Sequence, residues 1–210
     1  MGIIRKALYL CDMDAQEQLS ALIPEPTAVV ELVESMVGGM WPRSDTSRRA
    51  LFQRLGFVSG ARWDDSADKS VTDHFALLTQ LPGELSSSWT SHNGRFMGIS
   101  MQPYTDMMPN NPIARLGYES VRAQLTELYG QPINPWHDPV VQTCIWNTNG
   151  RRIIIRFFNL QHSGMILSVF DAGLAAAADG ELRRRMAPAH WNGSAEGASP
   201  FVLPTFRPSA

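Results

Sequence analysis

The feature that most constrains the fold is a run of three β-rich segments between residues 143 and 170. The middle segment, 151–158, is dominated by β-branched and aromatic residues, which are favoured in strands. Asn149-Gly150 precedes it, a dipeptide typical of two-residue hairpin turns, and a second turn is expected at 161–164. Because residue type, turn chemistry and strand length agree, the region is predicted to form an antiparallel β-meander.

The rest of the chain reads as helices and shorter strands around this meander. Segments with helical spacing of apolar residues are expected at 27–37, 44–55, 112–129 and from 171 to about 185. Segments with strand character are expected at 70–81, 87–90 and 96–101. Polar or proline-rich stretches predict loops at 61–70, 102–112 and 132–139, and residues 7–22 fit a strand or a helix equally.

This order predicts a single α+β domain over residues 1–186, with helices packed on one face of an antiparallel sheet. Residues 187–210 are rich in Pro, Gly and Ser and predict an irregular C-terminal tail, whose docking stays open.

Composition narrows the function classes. The net charge is −2 at pH 7, so the chain lacks the overall positive balance of a protein that binds nucleic acid through phosphates. It also has no apolar run of 18 residues, which excludes a predicted membrane helix, and no signal-peptide pattern at its start. We therefore expect a cytoplasmic protein without nucleic-acid or membrane partners, and the arginine- and alanine-rich usage suggests a bacterial source. A homo-oligomer stays open.

Patterns that could carry catalysis are weak. Asp12 and Asp14 follow an apolar segment, as the metal-binding acids of some phosphatases do, but a supporting lysine and a parallel sheet are missing from the pattern. None of the five histidines lies three or four residues from another, so no helical metal-ligand pair is present. Cys144 lies within a predicted strand and is expected to be a buried apolar group. The sequence thus favours a protein without a catalytic residue, metal or cofactor.

Two loops carry the residues predicted to bind a partner. The first has an aromatic residue beside three acids, a combination that suits a basic protein surface. The second lies between Pro135 and Pro139, which restrict its backbone and could present an aromatic and two polar side chains. The candidate partner-binding residues are Trp63, Asp64, Asp65, Asp68, Trp136, His137 and Asp138.

The pattern of these elements resembles a group of small actinobacterial α+β proteins. The resemblance lies in residues 41–57, in a helix ending at Tyr129-Gly130, and in the strand and hairpin that follow with Trp146. The same succession is similar to that of several immunity proteins of bacterial toxin systems and covers about half of the chain. It implies a non-enzymatic protein that binds a cognate toxin, and it implies no catalytic residues.

The leading hypothesis is therefore a protein-binding module of the immunity type. One alternative is an enzyme or small-ligand-binding protein with a site assembled from scattered residues. Its cue would be a deep pocket that holds two or more of the histidines, Asp12, Asp14 or Asp138 within hydrogen-bond reach. Another is a structural or assembly subunit, for which an ordered tail at 187–210 would be the cue.

Overall fold

Asparagine–glycine turns organise the sheet as the sequence predicts. In the computed structural model, Asn93 and Asn149 have φ of 51° and 48°, and the glycines that follow them both have φ of 70°. Positive φ at both central residues is what a type I′ hairpin requires, and few residue pairs besides Asn-Gly adopt it cheaply. The two turns therefore fold adjacent segments back as antiparallel hairpins.

The structure describes residues 22–63, 72–83, 85–134 and 141–186. Residues 7–21, whose secondary structure the sequence left open, and the tail at 187–210 lie outside this part of the chain. The described helices are α1 (Pro26–Val37), α2 (Asp45–Leu55), α3 (Pro112–Tyr129) and α4 (Ala172–Met186). The described strands are β1 (Val58–Arg62), β2 (Thr72–Leu78), β3 (Ser86–His92), β4 (Arg95–Asp106), β5 (Val141–Thr148), β6 (Arg151–Asn159) and β7 (Ser163–Asp171).

Seven strands form one antiparallel sheet in the order β1-β2-β3-β4-β7-β6-β5. The predicted meander is confirmed as β5, β6 and β7, and a second meander of four strands precedes α3. The two meanders join where β4 pairs with β7, so the centre of the sheet is made by strands far apart in the sequence. The predicted α+β class is confirmed.

Helices α1, α2 and α3 pack on one face of this sheet. The buried residues of α3 recur at helical spacing, with Tyr118, Val121 and Leu125 fully covered. Its N-terminus is capped by Asn111, whose side-chain oxygen accepts hydrogen bonds from the backbone N–H groups of the next two non-proline residues, at 2.8 and 3.1 Å. The inward side chains of β6 and β7 complete this main core, with Ile153, Ile155, Phe157, Met165, Leu167 and Val169.

Helix α4 lies across the opposite face, so the prediction of helices on one face describes α1 to α3. Ile154 and Phe170 point away from the main core because strand side chains alternate between faces. With Met97 and Ala175 they form a second, smaller apolar cluster beneath α4. Short apolar side chains on α4, such as Ala175, allow the helix to approach the strands closely.

The structure differs from the sequence-based expectations at three places. Residues 58–62 form a strand, although 61–70 reads as a polar loop. The residue types of this segment have little strand propensity, and backbone pairing with β2 stabilises the strand. Strand β4 continues to Asp106 through Pro103, which sits where the pairing register with β7 shifts, a position that tolerates a missing N–H group. Helix α1 begins at Pro26, one residue before the expected start at 27, with Glu25 as its N-cap, because proline suits the first helical position.

Candidate functional site

Of the seven predicted partner-binding residues, Trp63 is the one that the structure describes. Asp64, Asp65 and Asp68 lie outside the described residues, and so do Trp136, His137 and Asp138. Trp63 directly follows β1, at one corner of the sheet. The geometry around this corner is therefore what the structure contributes to the prediction.

Trp63 packs against a histidine of the neighbouring strand. Its backbone N–H donates to the carbonyl oxygen of His74 at 2.9 Å, which extends the β1–β2 pairing by one residue. The two rings stack, with centroids 6.3 Å apart and planes inclined by 12°. The indole is half-buried. Sequence reasoning missed His74 because its apposition depends on the pairing of β1 with β2.

Polar side chains continue from His74 along the same face of β2 and β3. The register pairs Thr72 with His92 and His74 with Thr90, so these four residues share one face. Thr90 Oγ1 lies 3.4 Å from His74 Nδ1, and Thr72 Oγ1 lies 3.2 Å from His92 Nδ1. Two of the five histidines thus lie on adjacent strands, each beside a threonine hydroxyl.

His92 is buried, with 3% of its surface exposed, and its ring nitrogens have polar neighbours on both sides. The amide nitrogen of Asn93 lies 3.2 Å from Nε2 and can only donate a hydrogen bond. In a neutral imidazole both contacts are satisfied when Nδ1 carries the hydrogen and donates a hydrogen bond to Thr72 Oγ1, while Nε2 accepts one from Asn93. His92 and Thr90 are buried, and the contacts of these four side chains join β2 to β3.

The end of α4 is anchored to this region by charged groups. Asp179 accepts a hydrogen bond from Arg152 on β6 at 3.0 Å, and Glu181 Oε2 lies 3.8 Å from His92 Nε2. Burial lowers the pKa of Arg156, and the carboxylate of Asp179 opposes that shift. The acidic side chains of α4 therefore offset positive charge on the strands beneath it.

Strand β1 forms the outer boundary of this corner, and all five of its residues are exposed. Val58 is paired with Leu78 on β2, and these side chains are 60% and 64% exposed. Between this pair and the Trp63–His74 stack lie Gly60 and Ala76; a Cβ on Gly60 would come within 2.9 Å of Ala76 Cβ. We call these six residues the β1–β2 surface: it has small residues at its middle, aliphatic side chains at one end and two rings at the other.

The opposite face of the same corner holds β1 in place. Trp89 donates its indole N–H to Ser59 Oγ at 2.8 Å. The indole lies between Phe75, whose ring stacks 3.9 Å away, and the guanidinium of Arg48, 4.2 Å from a ring centroid. Arg62 of β1 forms an ion pair with Asp73 of β2. The β1–β2 surface thus lies over a layer of packed aromatic side chains on the other face of the sheet.

Three further features of the described residues bear on metal binding, thiol chemistry and membrane insertion. Within residues 22–63, 72–83, 85–134 and 141–186, no group of three or more His, Cys, Asp or Glu side chains is arranged to hold a metal ion. Cys144 is a buried free thiol, 3.6 Å from the hydroxyl of Tyr118, as expected of a packing residue. None of the four described helices combines the length and apolar character needed to cross a membrane.

Comparison of the chain with protein-family models, curated proteins and solved structures finds no match. The class that the fold defines is an α+β domain with a seven-stranded antiparallel sheet and helices against both faces. Function must therefore be argued from the side chains of the site itself.

Proposed function

We propose that this protein is a non-enzymatic protein-binding module, of the immunity type that inhibits a bacterial toxin. The observation that supports it best is the β1–β2 surface, where exposed aliphatic side chains share one face of the sheet with a half-buried tryptophan. Tryptophan is enriched among the residues that dominate binding energy in protein interfaces. The arrangement offers aliphatic and aromatic contact area at one corner of the sheet.

Two of the segments that carry the resemblance to immunity proteins are in contact in the structure. The helix that ends at Tyr129-Gly130 and the strand that carries Trp146 meet directly, because the indole N–H of Trp146 donates to the carbonyl oxygen of Gly130 at 2.8 Å. This contact accounts for the pattern through the fold. The contact explains why these two pieces lie together in this chain and assigns no function by itself, since one fold serves many functions.

Co-expression with the product of the adjacent reading frame tests the proposal. We expect the full-length chain to capture that product and to relieve its toxicity in growing cells. Trp63→Ala is expected to weaken the complex by at least about tenfold, as loss of a central aromatic contact does. Leu128→Ala is the matched control, because this side chain is 47% exposed on α3, a helix that packs on the other face of the sheet. Failure to capture a partner, together with undiminished toxicity, would refute the immunity proposal.

The two alternatives stand differently. Two histidines do share one face of the sheet, but each contacts a threonine, and His92 is closed to a ligand by burial. The cue for an assembly subunit, residues 187–210, lies outside the described part of the chain. The protein-binding proposal is therefore the one that we carry forward.

A further inference from the structure

The two edge strands of the sheet, β5 and β1, differ in the backbone pairing of their outer sides. At the β5 edge, Ile133 forms a bridge with Ile145: each backbone N–H donates to the carbonyl oxygen of the other residue, at 2.8 and 2.9 Å. At the β1 edge, no strand among the described residues pairs with the outer side of residues 58–62. An unpaired edge presents a row of backbone donors and acceptors to any extended chain that approaches it.

The β1 edge is also held in a fixed shape. Ser59 is tied to the indole of Trp89, Arg62 is paired with Asp73, and α2 packs behind the strand. A strand that is already ordered loses little conformational freedom when a partner adds to it, so more of the interaction energy appears as affinity.

Side chains of β1 define what such a partner would carry. Arg62 is the single charged residue of the strand. It is paired with Asp73 through one guanidinium nitrogen, but its side chain stays 64% exposed, so its other N–H groups favour an acidic residue opposite it. Val58 and its neighbour Leu78 form an exposed aliphatic pair, which favours an apolar residue at the other end.

We propose that the β1 edge binds an extended, acidic and apolar segment of a protein partner as an eighth strand of the sheet. The inference rests on the proposed protein-binding function and adds the mode of binding to it. The shift in register between Ser59 and Arg62 marks a bulge in β1, and bulges restrict which chains an edge accepts. The bulge therefore disfavours uncontrolled edge-to-edge association without closing the edge.

A synthetic peptide tests the mode of binding without a natural partner. The probe is a blocked heptapeptide of alternating valine and threonine with one terminal glutamate, titrated to millimolar concentration into the 15N-labelled full-length chain. We expect the amide signals of residues 58–62 to shift. A copy with proline at its centre should produce no shift, because proline cannot donate to the new ladder. A copy with lysine in place of glutamate should bind about two- to fivefold more weakly.

Variants of the chain separate edge pairing from non-specific adhesion. Val58→Lys places a lysine on the edge, a substitution that opposes strand addition, at a side chain exposed enough to tolerate it. Ile133→Lys is the matched control, with similar exposure beside β5, where the backbone of Ile133 is already bridged to Ile145. We expect Val58→Lys to abolish the peptide-induced shifts and Ile133→Lys to leave them unchanged. The inference is overturned if the proline copy binds as well as the probe, if the shifts lie away from β1, or if no shift occurs.

The pull-down with the adjacent gene product distinguishes this inference from the proposed function. If the product is captured equally by the wild-type and Val58→Lys chains, and hydrogen exchange at 58–62 is unchanged in the complex, the edge inference fails while the binding function stands. If nothing is captured but the peptide shifts β1, the immunity proposal fails and the edge inference stands.

Discussion

Replacing Gly117 by alanine should destabilise the protein, contrary to helix propensity. Gly117 lies in the middle of α3 and faces the ring of Tyr104 on β4. A Cβ there would stand 2.4 Å from Tyr104 Cδ2 and 2.6 Å from Cγ, well inside van der Waals contact. The ring cannot retreat freely, because it is buried and its hydroxyl donates to the carbonyl oxygen of Pro24 at 2.8 Å.

The expected change in the free energy of unfolding combines one stabilising effect with two destabilising ones. Glycine to alanine in a helix interior gains up to about 1 kcal/mol. Adding a methyl group to a packed core costs about 1 to 3 kcal/mol. Displacing the ring of Tyr104 also weakens the hydrogen bond to Pro24, which costs about 0.5 to 1.5 kcal/mol. We expect Gly117→Ala to lower the free energy of unfolding by about 1 to 3 kcal/mol, with the packing terms prevailing.

Gly180→Ala is the matched control for this prediction. Gly180 also lies within a helix, α4, but no heavy atom would lie within 4 Å of its added Cβ. Propensity then acts alone, and the variant should be more stable by up to about 1 kcal/mol. Urea unfolding followed by circular dichroism measures both free energies, with equal slopes required for comparison. If Gly117→Ala is as stable as the wild type or more so, the packing of α3 on β4 described above is wrong. In a Tyr104→Leu background the penalty should shrink, since the ring that causes it is gone.

Three further predictions concern stability. Burial raises the pKa of Tyr118, with smaller contributions from the contact with Cys144, so the phenol stays neutral in the folded chain at pH values where it ionises in the unfolded chain. Its contribution to stability is therefore present below a pH of about 10 and is lost as the pH rises further, by about 1.4 kcal/mol per pH unit. Tyr118→Phe should make the loss measured by urea unfolding between pH 8 and 11 shallower without abolishing it, because burial also raises the pKa of Tyr104 and of Tyr129; an unchanged slope would contradict this prediction. Asn111→Ala removes the cap of α3 and should cost about 1 kcal/mol, whereas Asn111→Asp should retain most of the stability. Trp146→Phe keeps an aromatic ring in the core but loses the hydrogen bond to Gly130, and thermal unfolding should show a loss of at least about 1 kcal/mol; an unchanged melting temperature would mean that this bond contributes nothing.

The candidate site was predictable only in part. Trp63 stood out in the sequence because an aromatic residue beside acids is unusual in a polar stretch, and the structure places it at an exposed corner. Its companions were not predictable, since His74 and Leu78 reach that corner through the pairing of β2 with β1. A strand such as β1, with serine, glycine and alanine at its centre, carries almost no strand signal of its own.

Local chemistry in the sequence determined the positions of most elements. The Asn-Gly turns, the caps at Ser44 and Asn111 and the apolar spacing of α3 act between residues close in the chain, so they can be read without the fold. Tertiary structure alone decided how these elements combine. The joining of the two meanders through β4 and β7, the placement of α4 on the second face and the opposite effects expected at Gly117 and Gly180 all depend on contacts between distant residues. Such contacts form only when the whole core closes, because their energy depends on how the two side chains fit and are buried together, which neither residue determines alone.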